Sequence, residues 1–244
     1  MKIAVIGGTG LIGSQVVTIL NASGHDAVPH SPSTGLDLLT GRGLPDALRG
    51  ADVVVNLTNS PTFDDASPRF FQSTMDNLLA AATAAGVGHA VILSIVGADE
   101  VPGQAYYRAK VLQEDILKAG PVPYSIVRAT QFFEFIDAAL SETADETTVR
   151  LPATLVQPIA SAEVAEEVAE VSMGHPLQGT RDIAGPDVFA LDELGKITLG
   201  AHGDHRAVVT DNGAGTFAAA PRDALIAKDG AVIAKTSYRE WLAR

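Results

Sequence analysis

Tyr106 and Lys110 stand four residues apart in the stretch AYYRAKVLQEDI, a spacing that puts two side chains on one face of a helix. A phenol ionises near pH 10 and moves protons poorly at neutrality, but an adjacent ammonium stabilises the phenolate and improves it. Tyr106 would then serve as a general acid, a contribution of about a hundredfold to ten-thousandfold. The same twelve residues also read as an ordinary amphipathic surface helix, with Tyr107 turned inward and Lys110 paired with Glu114 at helical spacing. The stretch alone leaves both readings open.

A glycine turn bears on that choice. Directly after the apolar run IAVI comes GGTGLIG, with Gly7, Gly10 and Gly13 three apart and an apolar helical pattern following. Strand, turn and helix are in register, as a dinucleotide fingerprint requires. Gly7 would allow the tight turn, Gly10 the close approach of backbone to a pyrophosphate, and Gly13 the close packing of helix on strand. The amides of Thr9, Gly10, Leu11 and Ile12 would face the phosphates at the positive end of the helix. The competing reading is a glycine-rich turn that binds nothing.

An acidic residue at the end of the second strand normally binds the adenosine ribose and selects NAD over NADP. Here that strand runs into VPHSPSTG, with His30 and Ser31 near the position. No carboxylate there repels a 2′-phosphate, and the hydroxyls of Ser31, Ser33 and Thr34 can donate to one. NADP(H) is therefore favoured. NAD(H) stays possible, since Arg42 is the first arginine in the chain and Asp37 can fold back onto the ribose. Ser and Pro at these positions equally suit a turn.

Composition narrows the remaining classes. Hydrophobic residues make up 46% and aromatics 5%, so a core rests on Ala, Val, Leu and Ile, as suits helices covering a parallel sheet. With 17 basic against 29 acidic residues and a net charge of −12, and no basic cluster, nucleic acid is not an expected partner. The absence of cysteine excludes disulfides, thiolate metal sites and a cysteine nucleophile. The six histidines show no pair at metal-ligand spacing on a helix, HGDH at 202–205 reads as a loop, and no metal is expected. No Gly-x-Ser-x-Gly element or P-loop lysine points to a hydrolase or NTPase. A strand beginning immediately after MK leaves no room for a signal segment, and no apolar run reaches the length of a membrane span, so the expectation is a cytoplasmic protein without a membrane partner.

Stepping along the chain, β-branched runs alternate with helical patterns: strand 2–6, helix 11–23, strand 26–30, a short helix near 44–49, strand 52–57, helix 67–86, strand 89–94, helix 105–119 and strand 124–128. Such alternation requires parallel strands with crossover helices. The runs ADVVVNL, HAVILSI and YSIVRA lack clean polar alternation and suit strands covered on both faces. The reading is an α/β chain, a Rossmann-like doubly wound parallel sheet forming one domain over 1–244. From about residue 130 a smaller, substrate-side lobe is inserted among and appended to the last strands. Ser161 before the helical SAEVAEEVAEVSM reads as a helix start.

Taken together, GGTGLIG, ADVVVNLTNSP, NLLAAATAAGV, VILSIVGAD, YYRAK, YSIVRATQFFEF and VQPIASAEVA resemble the short-chain dehydrogenase/reductase superfamily in its atypical, NmrA-like branch. The resemblance covers nearly the whole chain. It implies a nicotinamide cofactor across the carboxyl ends of the strands, with Asp37 near the adenine. It implies Thr58 and Asn59, in the loop after strand 52–57, along the cofactor, and Ala129, Thr130 and Gln131 bordering the nicotinamide. In catalytic members a Ser at the end of the fifth strand joins a Tyr-x-x-x-Lys pair, which Ser94, Tyr106 and Lys110 match. Lys110 would hold the nicotinamide ribose, Tyr106 would protonate the carbonyl oxygen, and Ser94 would donate to the developing oxyanion.

The expected activity is NAD(P)H-dependent reduction of a small carbonyl or quinone-type substrate, with Phe63, Phe132 and Phe133 walling an apolar pocket; plain core packing is the competing reading of those rings. The branch also contains members that bind the dinucleotide and catalyse little, acting as redox sensors with a protein partner. A nucleotide-sugar epimerase-like enzyme fits less well, because the lobe lacks an obvious basic site for a second diphosphate. Homo-oligomers are compatible with every one of these readings.

Overall fold

Strands form where β-branched residues run together. KIAVI and VVVN are buried almost throughout, so neither face of these strands meets water. The computed structural model describes residues 1–244, apart from the side chain of Ala219. In chain order the elements are β1 (Lys2–Ile6), α1 (Leu11–Ala22), β2 (Asp26–His30), α2 (Leu44–Ala47), β3 (Val53–Asn56), α3 (Ser67–Ala85), β4 (His89–Ile95), α4 (Ala105–Ala119), β5 (Tyr124–Ala129), α5 (Ile136–Glu142), β6 (Thr148–Leu151), β7 (Leu155–Val156), α6 (Ser161–Met173), β8 (Gly179–Ala184), β9 (Phe189–Ala190), α7 (Leu191–Ala201), β10 (Ala207–Thr210), β11 (Val232–Ile233) and α8 (Tyr238–Leu242).

Seven strands make one sheet in the order β11-β8-β5-β4-β3-β1-β2, with helices flanking it, a Rossmann-like α/β fold. The pairings of β1 with β2, β1 with β3, β3 with β4 and β11 with β8 are all parallel. The chain leaves β1 for β2 on one side and returns to β3 on the other. That reversal opens a crevice at the carboxyl ends of β1 and β3, where ligands of such sheets bind.

The chain divides into two compact units. The first comprises Met1–Ser94, Ala105–Arg128 and Ala162–Arg181. In α1, Ile12, Val16 and Leu20 recur every fourth residue and are buried. α3 lays Met75, Leu78, Leu79 and Ala82 onto a core that also takes in Ala4, Ile6, Val54, Ile92 and Leu117, and Gly86, at φ +72°, ends the helix. The second unit comprises Ile95–Gln104, Ala129–Ser161 and Asp182–Arg244. Its core gathers Phe133, Ile136, Leu140, Val149, Leu151, Leu191, Leu194 and Tyr238, around a parallel β10–β6 pair and an antiparallel β7–β9 pair. Ala162–Arg181, expected within the lobe, belongs instead to the first unit. The reason is that α6 immediately precedes β8, a strand of the main sheet, and a crossover helix must cover that sheet.

Among the described residues no helix is long and apolar enough to cross a membrane. No group of three His, Cys, Asp or Glu side chains among them could hold a metal ion.

At the opening of β4, His89 is 3% exposed and its Nε2 lies 2.8 Å from Ser125 Oγ. Burial drives its pKa down from 6.5 to about 4. The unfolded chain therefore takes up this proton before the folded one. Stability should be complete above pH 6.5 and fall as pH drops toward 4, by about 3 kcal/mol at roughly 1.4 kcal/mol per pH unit. Thermal midpoints collected between pH 4 and 7 should show that slope in the wild type and lose most of it in His89→Gln.

Candidate functional site in the first unit

The glycine turn sits at the carboxyl end of β1, on the crevice. Gly7 adopts φ +79°, a left-handed conformation that side chains disfavour. A Cβ on Gly13 would lie 2.1 Å from Gly7 O, so α1 can approach the turn only through a glycine. Gly10 is different. Its backbone is extended, at φ −81° and ψ −179°, and a Cβ there would meet only Gly7 O, at 3.3 Å. Backbone strain does not demand glycine at residue 10, and the one contact, tight and to a backbone oxygen, is far milder than at Gly13; room for an approaching ligand is a further reason for it. Among the described residues the amides of Leu11 and Ile12 make no backbone hydrogen bond, and no acidic side chain occupies the first turn of α1. A backbone cradle of this kind, with free amides at a positive helix end, fits a pyrophosphate.

Beyond β2 the hydroxyls are engaged locally. Thr34 Oγ1 accepts from Ser31 N at 2.8 Å and donates to Ser31 O at 3.0 Å. Ser31 Oγ lies 2.7 Å from Ser33 Oγ, while Ser33 is exposed. The hydroxyls of this serine-rich segment thus form the contacts of a turn. Asp37 also closes on its own loop: its carboxylate accepts from Leu39 N at 2.9 Å and Thr40 Oγ1 at 2.8 Å. The Thr40 hydrogen bond leads in holding that carboxyl below its ordinary pKa.

The loop after β3 is fixed by Asn56, which is buried and accepts from both Thr58 N, at 3.1 Å, and Thr58 Oγ1, at 2.7 Å. One residue on, Asn59 Oδ1 accepts from Ser60 N at 2.9 Å and from the Tyr106 hydroxyl at 2.6 Å. Phe63, 64% exposed, sets its ring edge-on to Tyr106 with centroids 4.6 Å apart. Burial pushes the Tyr106 phenol up to about 12.

Lys110 is 4% exposed and turned inward. Its ammonium donates to Leu93 O at 2.8 Å and Gln113 Oε1 at 2.5 Å, and lies 5.0 Å from the centre of the Phe71 ring. Burial pulls its pKa down to about 7 against the attraction of Glu114. The expected surface pair of Lys110 with Glu114 is not formed as a direct contact. Glu114 is fully buried and takes a two-pronged contact from Arg128, at 2.8 and 2.7 Å, and a third from Lys118 at 3.1 Å. Burial works against the Glu114 charge, but Arg128, Ser94 and Lys118 outweigh it and keep the carboxyl below its ordinary range. Ser94, at 3% exposure, has its hydroxyl beside that carboxylate.

The remaining expected residues belong to the second unit, where each is engaged within it. Ala129 O accepts from Val96 N. Thr130 is buried and donates through its hydroxyl to Gln157 O at 2.5 Å. The Gln131 amide donates to Leu225 O at 3.1 Å and accepts from Gln157 N at 3.0 Å. Phe132 faces the exposed Phe135 at 5.5 Å between ring centres. Phe133, expected in a pocket wall, is 1% exposed and packs on Tyr238 at 5.1 Å and Trp241 at 5.5 Å. It is a core residue, the alternative that its helical spacing left open.

A family model described as NAD(P)H-binding matches residues 7–172. The chain belongs to the NAD(P)H-binding family. One curated relative, a (4-alkanoyl-5-oxo-2,5-dihydrofuran-3-yl)methyl phosphate reductase of Streptomyces griseus, is 31% identical over 143 residues, 53% of this chain and 48% of the relative. The chain therefore spans about half the length of that relative. Among solved structures, the NADPH-dependent quinone oxidoreductase QOR2 of Escherichia coli, in complex with NADPH, superposes with a TM-score of 0.75 at 19% identity, covering 99% of this chain and 98% of the other. MoeE5 in complex with UDP-glucose and NAD reaches 0.75 at 19% identity, covering 100% and 96%. The UDP-N-acetylglucosamine 4-epimerase of Bacillus cereus reaches 0.71 at 20% identity, covering 88% of each chain. These structures share the fold of the NAD(P)H-binding family member described here.

Three further residues hold the elements of this family member's candidate site. Gly8, beside the fingerprint glycines, has no room for a Cβ, which would lie 2.7 Å from the Pro29 backbone and Val5 O. Asn56 carries the loop after β3, and a polar residue closing the otherwise apolar run VVVN is the signal that points to it. Gln113 holds Lys110, and its place three residues further along the same helix face is legible in the sequence.

Proposed function

We propose that the chain is an NADPH-linked reductase of a small carbonyl or quinone-type compound. The observation that carries this reading is the turn from Gly7 to Gly13, which leaves residue 10 open and the Leu11 and Ile12 amides unbonded at a helix end. The backbone of that turn would hold the pyrophosphate of a nicotinamide dinucleotide, which when bound supplies the hydride. The absence of a carboxylate at Ser31 favours the 2′-phosphate form, with the exposed Ser33 hydroxyl as a donor.

Tyr106 is the proton donor in this reading. A phenol held near 12 is protonated throughout the neutral range, the state that reduction of a carbonyl needs, and it is a poor base for the reverse oxidation. Lys110 would hold the nicotinamide ribose, and Ser94 would donate to the developing oxyanion. Phe63, edge-on to Tyr106, supplies an apolar surface beside the phenol.

A second reading, a dinucleotide-binding redox sensor with a protein partner, draws support from one specific feature. The Lys110 ammonium is tied to Leu93 O and Gln113, and the Ser94 hydroxyl lies beside Glu114, so neither hydrogen-bonds Tyr106.

Calorimetric titration with NADPH and NADH, followed by a turnover screen on carbonyls and quinones, separates the two. Gly10→Ala belongs in the same titration. It should leave the denaturation midpoint near the wild-type value and weaken NADPH binding by at least about tenfold, since its methyl enters space that only a ligand would use. Binding of neither dinucleotide by folded wild-type protein would overturn the proposal.

A further inference from the structure

We infer that Asn59 is the residue that positions the reacting phenol. The inference rests on Tyr106 being the proton donor of the proposed reductase.

Two contacts fix the geometry. The Tyr106 hydroxyl donates to Asn59 Oδ1 at 2.6 Å, and the same oxygen is aimed by the Ser60 amide at 2.9 Å. Asn59 is thus held by its own loop rather than by the tyrosine. Phe63, four residues further along that loop, closes the other side of the phenol edge-on. Ser94 offers no equivalent hold, because its buried hydroxyl lies at the Glu114 carboxylate and makes no hydrogen bond to Tyr106.

A carboxamide also suits the proton movement. With no carbonyl at the phenol, Oδ1 accepts its one proton; to act on a substrate the hydroxyl turns that proton to the substrate oxygen and presents a lone pair to Asn59. When the Oη–H bond breaks and the proton passes to the substrate oxygen, with the hydride arriving from a reduced nicotinamide dinucleotide, a phenolate remains that needs a donor. A half-turn about the Asn59 Cβ–Cγ bond, which gives up the Ser60 amide contact to Oδ1, brings the Nδ2 amide to Oη as that donor. Asn59 is exposed, so its replacement should leave the fold intact. The titratable neighbour packed against Tyr106 is Tyr107, with ring centres 6.2 Å apart, and both variants below leave it unchanged.

The test has an arm that needs no turnover. With 3-chlorotyrosine, whose phenol ionises well below that of tyrosine, installed at position 106, phenolate absorbance is titrated in the ligand-free protein. Asn59→Asp places a carboxylate against the phenol and should raise its pKa by about one pH unit or more; Ser94→Ala should move it by less than about a third of a unit. In the turnover arm, Asn59→Ala should lower kcat at saturating NADPH by about tenfold to a hundredfold with the substrate KM within about threefold, a loss of orientation rather than of substrate binding. An unmoved titration in Asn59→Asp, or a wild-type kcat in Asn59→Ala alongside a dead Tyr106→Phe, overturns the role of Asn59 and leaves the reductase reading standing. A shifted titration with no turnover on any substrate keeps the contact, removes the reductase, and with it the role assigned to Asn59 in catalysis.

Discussion

Tyr106→Phe should lower kcat for carbonyl reduction by about a hundredfold to ten-thousandfold while leaving NADPH affinity unchanged. The substitution removes one oxygen. The ring that remains keeps its edge-on contact with Phe63 and its packing beside Tyr107, and Asn59 Oδ1 keeps its hydrogen bond from Ser60 N. Stability should therefore change by no more than about 1 kcal/mol, the usual net worth of one hydrogen bond at a partly exposed site. Steady-state kinetics with matched denaturation curves separate the catalytic effect from the structural one. The pH profile carries a second expectation. Lys110, with its pKa pulled down to about 7, loses its positive charge as pH rises through that value, whereas the phenol stays protonated to about 12. Accordingly kcat/KM, which reports the free enzyme, should fall as pH rises through about 7, and Lys110→Met should remove that limb together with most of the rate. If Tyr106→Phe turns over as fast as the wild type, the phenol is no proton donor and the sensor reading gains.

Gly13→Ala should cost about 3 kcal/mol of stability and lose measurable dinucleotide binding. By helix propensity alone the change should stabilise α1 by about 1 kcal/mol, because alanine is the better helix former. Packing decides the sign. The added Cβ would stand 2.1 Å from Gly7 O, 2.7 Å from Gly8 Cα and 2.8 Å from Gly7 C, all backbone atoms that no rotamer change can move aside. α1 would have to shift away from the turn, carrying the Leu11 and Ile12 amides off the line on which they face the crevice. Urea denaturation and calorimetry measure the two effects. The contrast with Gly10→Ala is the informative comparison, since there affinity should fall without stability. Equal stability losses in the two variants would show that the turn as a whole is a structural element and that residue 10 holds no ligand.

The sequence by itself determined the frame. Each of β1 through β5 and each helix among them is marked by an uninterrupted apolar run or a helical period, and the observed bounds stay within about two residues of those the patterns imply. The reason is local: a strand buried on both faces and a helix with one buried stripe leave different periodicities, and parallel strands admit few connections. The glycine turn was legible for the same reason, since Gly7 and Gly13 answer to backbone constraints inside one stretch of chain.

Side-chain partnership was decided only by the tertiary structure. Helical spacing allowed Lys110 to meet Glu114, but Arg128 from β5 reaches Glu114 with two donors, and Leu93 O and Gln113 receive Lys110. Nothing in the order of residues shows that Asn59, from the loop after β3, meets Tyr106 from α4, 47 residues away. Phe63 and Phe133 read alike as aromatic residues near strand ends, yet one is 64% exposed beside the phenol and the other 1% exposed in a core. Period and composition fix which face of an element is buried. They carry no record of which groups from distant elements fill a given hydrogen bond, because that choice is made by the competition among all donors and acceptors once the elements have packed.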